Sequence, residues 1–302
     1  MNITKIIESD QYLAAVLIIF LALAGVFINC YVLYAILKCK VFGRSFGAIC
    51  VSQISANCGN SVIFAFLVGP ITLIDKDFHS TYWGARCGQA LIVFWNASQF
   101  SHLLTAINRF VNLYCSLKYE TIFNPAVTKY SIIVVWTVAL IQGVPYFWPQ
   151  CTLEFNVESY TFGFLPTSCA TWVGYYFDFD LSVAVIIFIF IIDFSSFLKI
   201  RMLKKLKSKD IKFFFQAWVQ ALAAITELVV YFWVAPLVAH DKWTHFCLTT
   251  IAWITVELTD GVVVIIFNKD IRDRRRNNSV APAQCLPTHT SVQRESFPNF
   301  RC

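Results

Sequence analysis

Charge is scarce in this sequence: 14% of its 302 residues are Asp, Glu, Lys or Arg, 58% are hydrophobic, and the mean hydropathy is +0.62. Soluble globular chains carry about 25% charged residues, and a water-soluble enzyme of this make-up would expose much of its apolar surface. Hydrolase signatures are missing too. The histidines at 79, 102, 240, 245 and 289 make no His-x-x-x-His pair and there is no Gly-x-Ser-x-Gly, so no catalytic residue, metal site or cofactor is expected. The eleven cysteines show neither CxxC nor zinc-like spacing. No repeat relates the two halves, which argues against a transporter. Disorder is excluded by what is abundant, 29 Phe, 12 Tyr and 9 Trp.

What remains is a membrane protein. Apolar runs long enough to cross about 30 Å of hydrocarbon as helices occur at seven places. They are Tyr12 to Leu37, Phe46 to Ile74, Gly88 to Leu117, Tyr130 to Trp148, Trp172 to Leu198, Phe213 to Val238 and Trp243 to Phe267. A barrel would show alternating segments of about ten residues, so the fold class is an all-α seven-transmembrane helix bundle. Nineteen Lys and Arg fall in the connections of one side and four on the other, which predicts the N-terminus outside and the C-terminus in the cytoplasm. The basic runs are thus a topology signal and no nucleic-acid partner is expected. The first span reads as retained rather than cleaved, since it lacks a small-residue cleavage site. The expected division is an outer N-terminus over 1–11, the seven-transmembrane bundle over 12–267, and a polar, disordered cytoplasmic tail over 277–302. Asn2-Ile3-Thr4 is a sequon on the outer side.

Ionisable groups at membrane depth cost several kcal/mol (about 3 on insertion scales) unless paired or facing the interior. His102, Arg109, Asp193, Glu227, Glu257 and Asp260 are such groups, with Asn29, Asn57, Asn60, Asn96 and Asn108 as neutral companions. One cation among several acids points to a switch. The expected partner of Arg109 is Asp193 or Glu227, both assigned to the inner halves of their spans. Lys118, Lys204, Lys205, Lys207 and Lys209 offer a basic inner rim to an acidic partner or to anionic membrane lipid.

A guest pocket in a helical bundle is lined by aromatics with a few orienting polar groups. Leu91, Phe94, Trp95 and Ser98 share a face of the third helix by their spacing. Tyr175, Asp178 and Phe179 of the fifth, Tyr231 and Trp233 of the sixth and Trp253 of the seventh are the other candidates. Asp178 is the candidate orienting charge, suited to a cationic or hydroxyl-rich guest; the alternative is that it faces outer water.

These residues resemble the rhodopsin-like receptor superfamily. Asn29 with Val32, Ser52 to Asn57, Asn108-Arg109-Phe110, Trp136 with Pro145, Trp233 with Pro236, and Asp260-Gly261-Val262-Val263-Val264 stand for its helix motifs, and Asn268-Lys269-Asp270-Ile271-Arg272 continues into its amphipathic eighth helix, expected over 268–276. Within it, Arg44-Ser45-Phe46-Gly47, Ser101-His102-Leu103-Leu104, Ile107-Asn108-Arg109-Phe110, Leu117-Lys118-Tyr119 and the Pro145-Tyr146-Phe147 end of helix four are similar to the nematode serpentine receptor class x chemoreceptors.

The departures bear on mechanism. The acid that normally precedes the third-helix Arg is Asn108, and the second-helix acid and seventh-helix amide are exchanged as Asn57 and Asp260, which are expected to touch. A sodium site is disfavoured by the missing second-helix carboxylate, for which Glu257, one turn before Asp260, is the substitute on offer, and retinal by the absence of lysine between Trp243 and Phe267. By resemblance to class x receptors, in which two cysteines flank the long outer loop, Cys151 with Cys169 is the expected disulfide, with Cys87 as the rival partner of either.

The function the resemblance implies is a G-protein-coupled chemosensory receptor. It would bind an external small molecule, an odorant or pheromone-like compound, and open around Arg109 to a heterotrimeric G protein at the plasma membrane of a sensory neuron. Asn29, Asn57, Asn108, Asp193, Glu227 and Asp260 would form its switch with Arg109. The alternative is a ligand-gated cation channel of the odour-receptor type, whose N-terminus would lie inside.

Overall fold

The structure, a computed structural model, describes residues 3–39, 43–202, 208–238, 241–268 and 271–272, without the side chains of 3–8, 39 and 208–214. Asn2, the sixth-helix approach at 203–207 with Lys204, Lys205 and Lys207, the side chain of Lys209, positions 269–270 of the expected eighth helix and the tail from 273 onward lie outside what is described.

Among the described residues, seven helices are long and apolar enough to cross a membrane: α1 (Ser9–Lys38), α2 (Arg44–Ile74), α3 (Tyr82–Tyr114), α4 (Pro125–Phe147), α5 (Ser168–Met202), α6 (Phe215–Val238) and α7 (Lys242–Phe267). Helical backbone continues from α1 back to Ile3 and from α6 back to Ser208. α3 is central, packed against α2, α4 and α5, while α5, α6, α7, α1 and α2 follow one another around it. Large apolar side chains point outward, Phe27 being 72% exposed, as a lipid-facing surface requires.

α3, α4 and α5 start a turn or more before their apolar runs do, because polar caps set their first turns. Thr81 accepts from Gly84 N at 3.1 Å and begins α3 at Tyr82 rather than Gly88. Asn124 accepts from Val127 N at 2.9 Å ahead of Pro125, and Thr167 accepts from Ala170 N at 3.1 Å ahead of Ser168. Asp241 caps α7 through Trp243 N and Thr244 N.

Among the described residues the strands are confined to an antiparallel hairpin of β1 (Leu153–Asn156) and β2 (Thr161–Phe164) in the α4–α5 connection. Asn156 Oδ1 accepts from Glu158 N and Ser159 N, and Tyr160 takes φ 57° to reverse the chain. The hairpin is sunk into one end of the bundle. Gly88 permits this, since a Cβ there would lie 2.3 Å from Leu153 O. Phe155 and Phe162 are buried, and Phe162 packs edge-on to Phe64 of α2 and Trp253 of α7 with ring centres 5.9 and 6.0 Å away. Beside them His79, in the α2–α3 connection, shares a 2.9 Å hydrogen bond with Thr72 and lies 4.5 Å from the Phe155 ring.

At the other end Ile271 is buried beside Val32, Ile36, Ile54 and Val264, and its carbonyl accepts from Tyr31 Oη at 3.1 Å. The chain after α7 therefore turns back onto α1 and α2.

Candidate functional site

Below the hairpin a small cavity lies between α3, α5, α6 and α7. Its walls are Ile92 and Trp95 of α3, Leu153 of β1, Asp178 of α5, Glu227, Leu228, Tyr231 and Phe232 of α6, and Trp253 of α7. Widened π-helical turns surround it, at Phe64–Val68, Val173–Asp180, Val230–Val234 and Cys247–Ile251. Such turns are rare and occur frequently at functional sites, where the extra residue re-aims the side chains beyond it. Asp178, Tyr231 and Phe232 lie within them.

The cavity is acidic and aromatic. Asp178 and Glu227 are each 6% exposed, and Asp178 Oδ1 has no hydrogen-bond partner among the described residues. Trp95 Nε1 donates to Ser182 Oγ at 3.3 Å, and its ring meets Trp253 edge-on. Tyr231 Oη donates to Phe162 O, and Thr250 Oγ1 to Tyr160 O, each at 2.8 Å, so α6 and α7 both hold the hairpin backbone.

Of the ten candidate pocket residues, four line this cavity: Trp95, Asp178, Tyr231 and Trp253. Leu91 is buried in the neighbouring core, and Phe179 packs behind the wall against Phe232. Phe94 turns instead toward α2 and α4, where its ring fills the space above Gly59 and meets Trp136 edge-on. Ser98 donates to Asn57 Oδ1 and belongs to the polar interior. Tyr175 and Trp233 are 47% and 60% exposed and face outward. Phe232, which lies between two of the candidates, also stands in the wall; ring-rich spans give no sign in the sequence of which ring points inward. Leu153 had no signal at all, since a loop residue enters only once the hairpin is formed.

The middle of the bundle is a polar layer. Asn57 Nδ2 donates to Asp260 Oδ2 at 3.0 Å, Asn60 Nδ2 to Glu257 Oε1 at 2.8 Å, and Asn29 Nδ2 to Gly25 O at 3.0 Å and Glu257 O at 3.3 Å. Gly261 lets α1 approach, because a Cβ there would meet Asn29 Oδ1 at 2.8 Å. Ser52 and Ser101 share a 2.9 Å hydrogen bond and Trp136 Nε1 donates to Ser52 Oγ at 3.0 Å, joining α2, α3 and α4.

At the far end Arg109 Nη2 donates to Asp193 Oδ2 at 3.0 Å, with side chains 13% and 1% exposed. Arg109 borders a second cavity with His102 and Thr105 of α3, Gln53 of α2, Gln216 and Gln220 of α6, and Val264 of α7. Asn108 exchanges hydrogen bonds with the Tyr119 hydroxyl at 3.2 and 3.3 Å. Glu227, the other expected partner of Arg109, is at the middle of α6 and belongs to the hairpin-side cavity, where it shares the walls with Asp178. Its assignment to the inner half is corrected accordingly.

Cys151 and Cys169 are joined by a disulfide that closes the hairpin connection, and Cys87 is a buried free thiol. The model of the serpentine-type seven-transmembrane chemoreceptor family Srx matches residues 19–268, most of the chain. The chain belongs to the Srx family of G-protein-coupled chemoreceptors. Two Caenorhabditis elegans proteins are similar along nearly its whole length. Serpentine receptor class X 45 is 27% identical, with 98% of this chain and 89% of that protein covered, and Serpentine receptor class X-43 is 22% identical, with 93% and 92% covered. This Srx chain is thus a multi-pass membrane protein and a chemosensory receptor that signals through G proteins, which favours the receptor over the channel alternative.

Proposed function

We propose that this receptor sits in the plasma membrane of sensory neurons, takes an external odorant or pheromone-like small molecule into the hairpin-side cavity, and opens the end that carries Arg109 to a heterotrimeric G protein. The N-terminus and hairpin then face outward, and 268–276 forms the inner amphipathic helix ahead of the cytoplasmic tail. The distribution of Lys and Arg supports this orientation, as does the Cys151–Cys169 disulfide, which belongs in an oxidising compartment.

The observation that carries the reading is one face of α7. Trp253 stands in the wall of the hairpin-side cavity, Glu257 and Asp260 bond Asn60 and Asn57 in the polar layer, and Val264 borders the Arg109 cavity. Their spacings of four, three and four residues keep them on one helical face. α6 repeats the arrangement with Tyr231 and Glu227 at one cavity and Gln220 and Gln216 at the other. A guest that favours one placement of Trp253 and Tyr231 over another acts on both helices, and only such a difference in affinity shifts the bundle between states. Asn29, Asn57, Asn108, Asp193 and Asp260 then act with Arg109 as the switch, while Glu227 acts from the ligand side.

Expression in reporter cells with a panel of odorants and pheromone-like compounds tests this. A G-protein-dependent response should appear for some compound and vanish in Arg109→Ala at unchanged surface level. A response that persists with G proteins blocked would overturn the reading.

A further inference from the structure

The hairpin-side cavity holds two acids and no base. Asp178 comes from α5 and Glu227 from α6, both more than nine-tenths buried, and none of the lining residues is Lys, Arg or His. Asp178 lines this space, and its buried Oδ1 has no hydrogen-bond partner among the described residues. Two buried carboxyls lining one cavity are costly to ionise together until something cationic lies between them.

The walls indicate which cation. Trp95, Trp253 and Phe232 bring ring surface to the cavity, and ring faces attract organic ammonium groups. Metal ions fit poorly. Calcium takes about six to eight oxygens, whereas this site offers two carboxyls and the Tyr231 hydroxyl, and no group of three or more metal-ligating side chains occurs among the described residues. A neutral alcohol would satisfy one carboxylate oxygen and leave the like charges facing each other.

We infer that the cavity selects an organic ammonium ion, bound between Asp178 and Glu227 and packed against Trp95, Trp253 and Phe232; this rests on the cavity being the ligand site. Because the two carboxyls belong to different helices, the bound cation draws α5 and α6 together at the hairpin end. Tyr231, one turn from Glu227, carries that movement to the hairpin through its bond to Phe162 O.

The test uses the full chain, surface-tagged, in reporter cells challenged with primary amines from ethylamine to phenethylamine, each beside the alcohol of the same skeleton and with a neutral glycoside as a further probe. An amine should activate at a concentration about tenfold or more below its alcohol, a difference typical of one charge-assisted contact. Asp178→Asn and Glu227→Gln should each erase that preference at unchanged surface level. Equal potency of amine and alcohol, activation by the glycoside alone, no amine response at normal surface level, or an unaltered amine preference in Asp178→Asn would each overturn the inference. Where a variant fails to reach the surface, the amine-against-alcohol contrast on the unchanged receptor decides. G-protein-dependent activation by neutral compounds alone removes the ammonium inference and leaves the proposed function standing; an amine response independent of G proteins does the reverse.

Discussion

Arg109 and Asp193 form a buried ion pair, Nη2 to Oδ2 3.0 Å, that ties the end of α3 to α5. Asn108, the residue before Arg109, is uncharged and is engaged with the Tyr119 hydroxyl. The restraint on Arg109 therefore comes from across the bundle, not from its own neighbour.

Asp193→Asn keeps a hydrogen-bond acceptor but removes the compensating charge. Breaking a buried pair from one side costs about 3 kcal/mol. Agonist-independent signalling per surface receptor should rise several-fold, and surface level should fall. Basal signal equal to that of the unchanged receptor would show that the pair does not hold the resting state.

Asn57 and Asp260 make a second prediction. Asn57→Asp sets a new carboxyl beside Asp260, with Glu257 one turn away, and should lower the thermal stability of the detergent-purified receptor by about 2 kcal/mol. Adding Asp260→Asn rebuilds the carboxylate–amide contact in the opposite sense. The double variant should recover at least about 1 kcal/mol relative to the sum of the single changes; strict additivity would mean that the two side chains act separately.

The seven spans were legible in the sequence because lipid forces long apolar runs, and a rare polar group inside one needs a partner, which narrowed that of Arg109 to Asp193 or Glu227. The Asn57–Asp260 contact was legible through the resemblance instead, as an acid and an amide exchanged between the second and seventh helices. The cavity was legible only in part. Leu91, Phe94, Trp95 and Ser98 do share a stripe of α3, but a stripe about 100° wide spans more than one neighbour. Trp95 reaches the cavity, while Phe94 and Ser98 turn toward α2. The π-helical turns at Val173–Asp180 and Val230–Val234 leave no mark in hydropathy, yet they aim Asp178 and Phe232. The starts of α3, α4 and α5 were missed because Thr81, Asn124 and Thr167 cap them from outside the apolar runs.

The disulfide supplies a third prediction. Cys151→Ser frees the hairpin connection, which the bond closes over a separation of 18 residues, and loops of this size are stabilised by about 3 kcal/mol on closure. The variant should melt at lower temperature and need a higher agonist concentration. Digestion of unreduced receptor should yield one peptide pair joining Cys151 to Cys169, and denaturation should expose Cys87 to alkylation; a bridge to Cys87 would reassign the loop.

The last prediction concerns acid. Burial holds the His79 imidazole down at about 4, against an ordinary 6.5, where it bonds Thr72 and packs on Phe155 of the hairpin. The folded protein thus resists protonating a group that the unfolded chain protonates readily. The stability that neutral His79 supplies is whole above pH 6.5 and drains away as pH falls toward 4, reaching a deficit of about 1–2 kcal/mol near pH 5. Acidification should therefore lower the melting temperature of the purified receptor and loosen the hairpin that closes the cavity. His79→Gln keeps a polar contact to Thr72 without a titrating ring, so its melting temperature should depend less on pH across this window. If both proteins lose stability in parallel between pH 6.5 and 4, the acid sensitivity lies elsewhere than at His79.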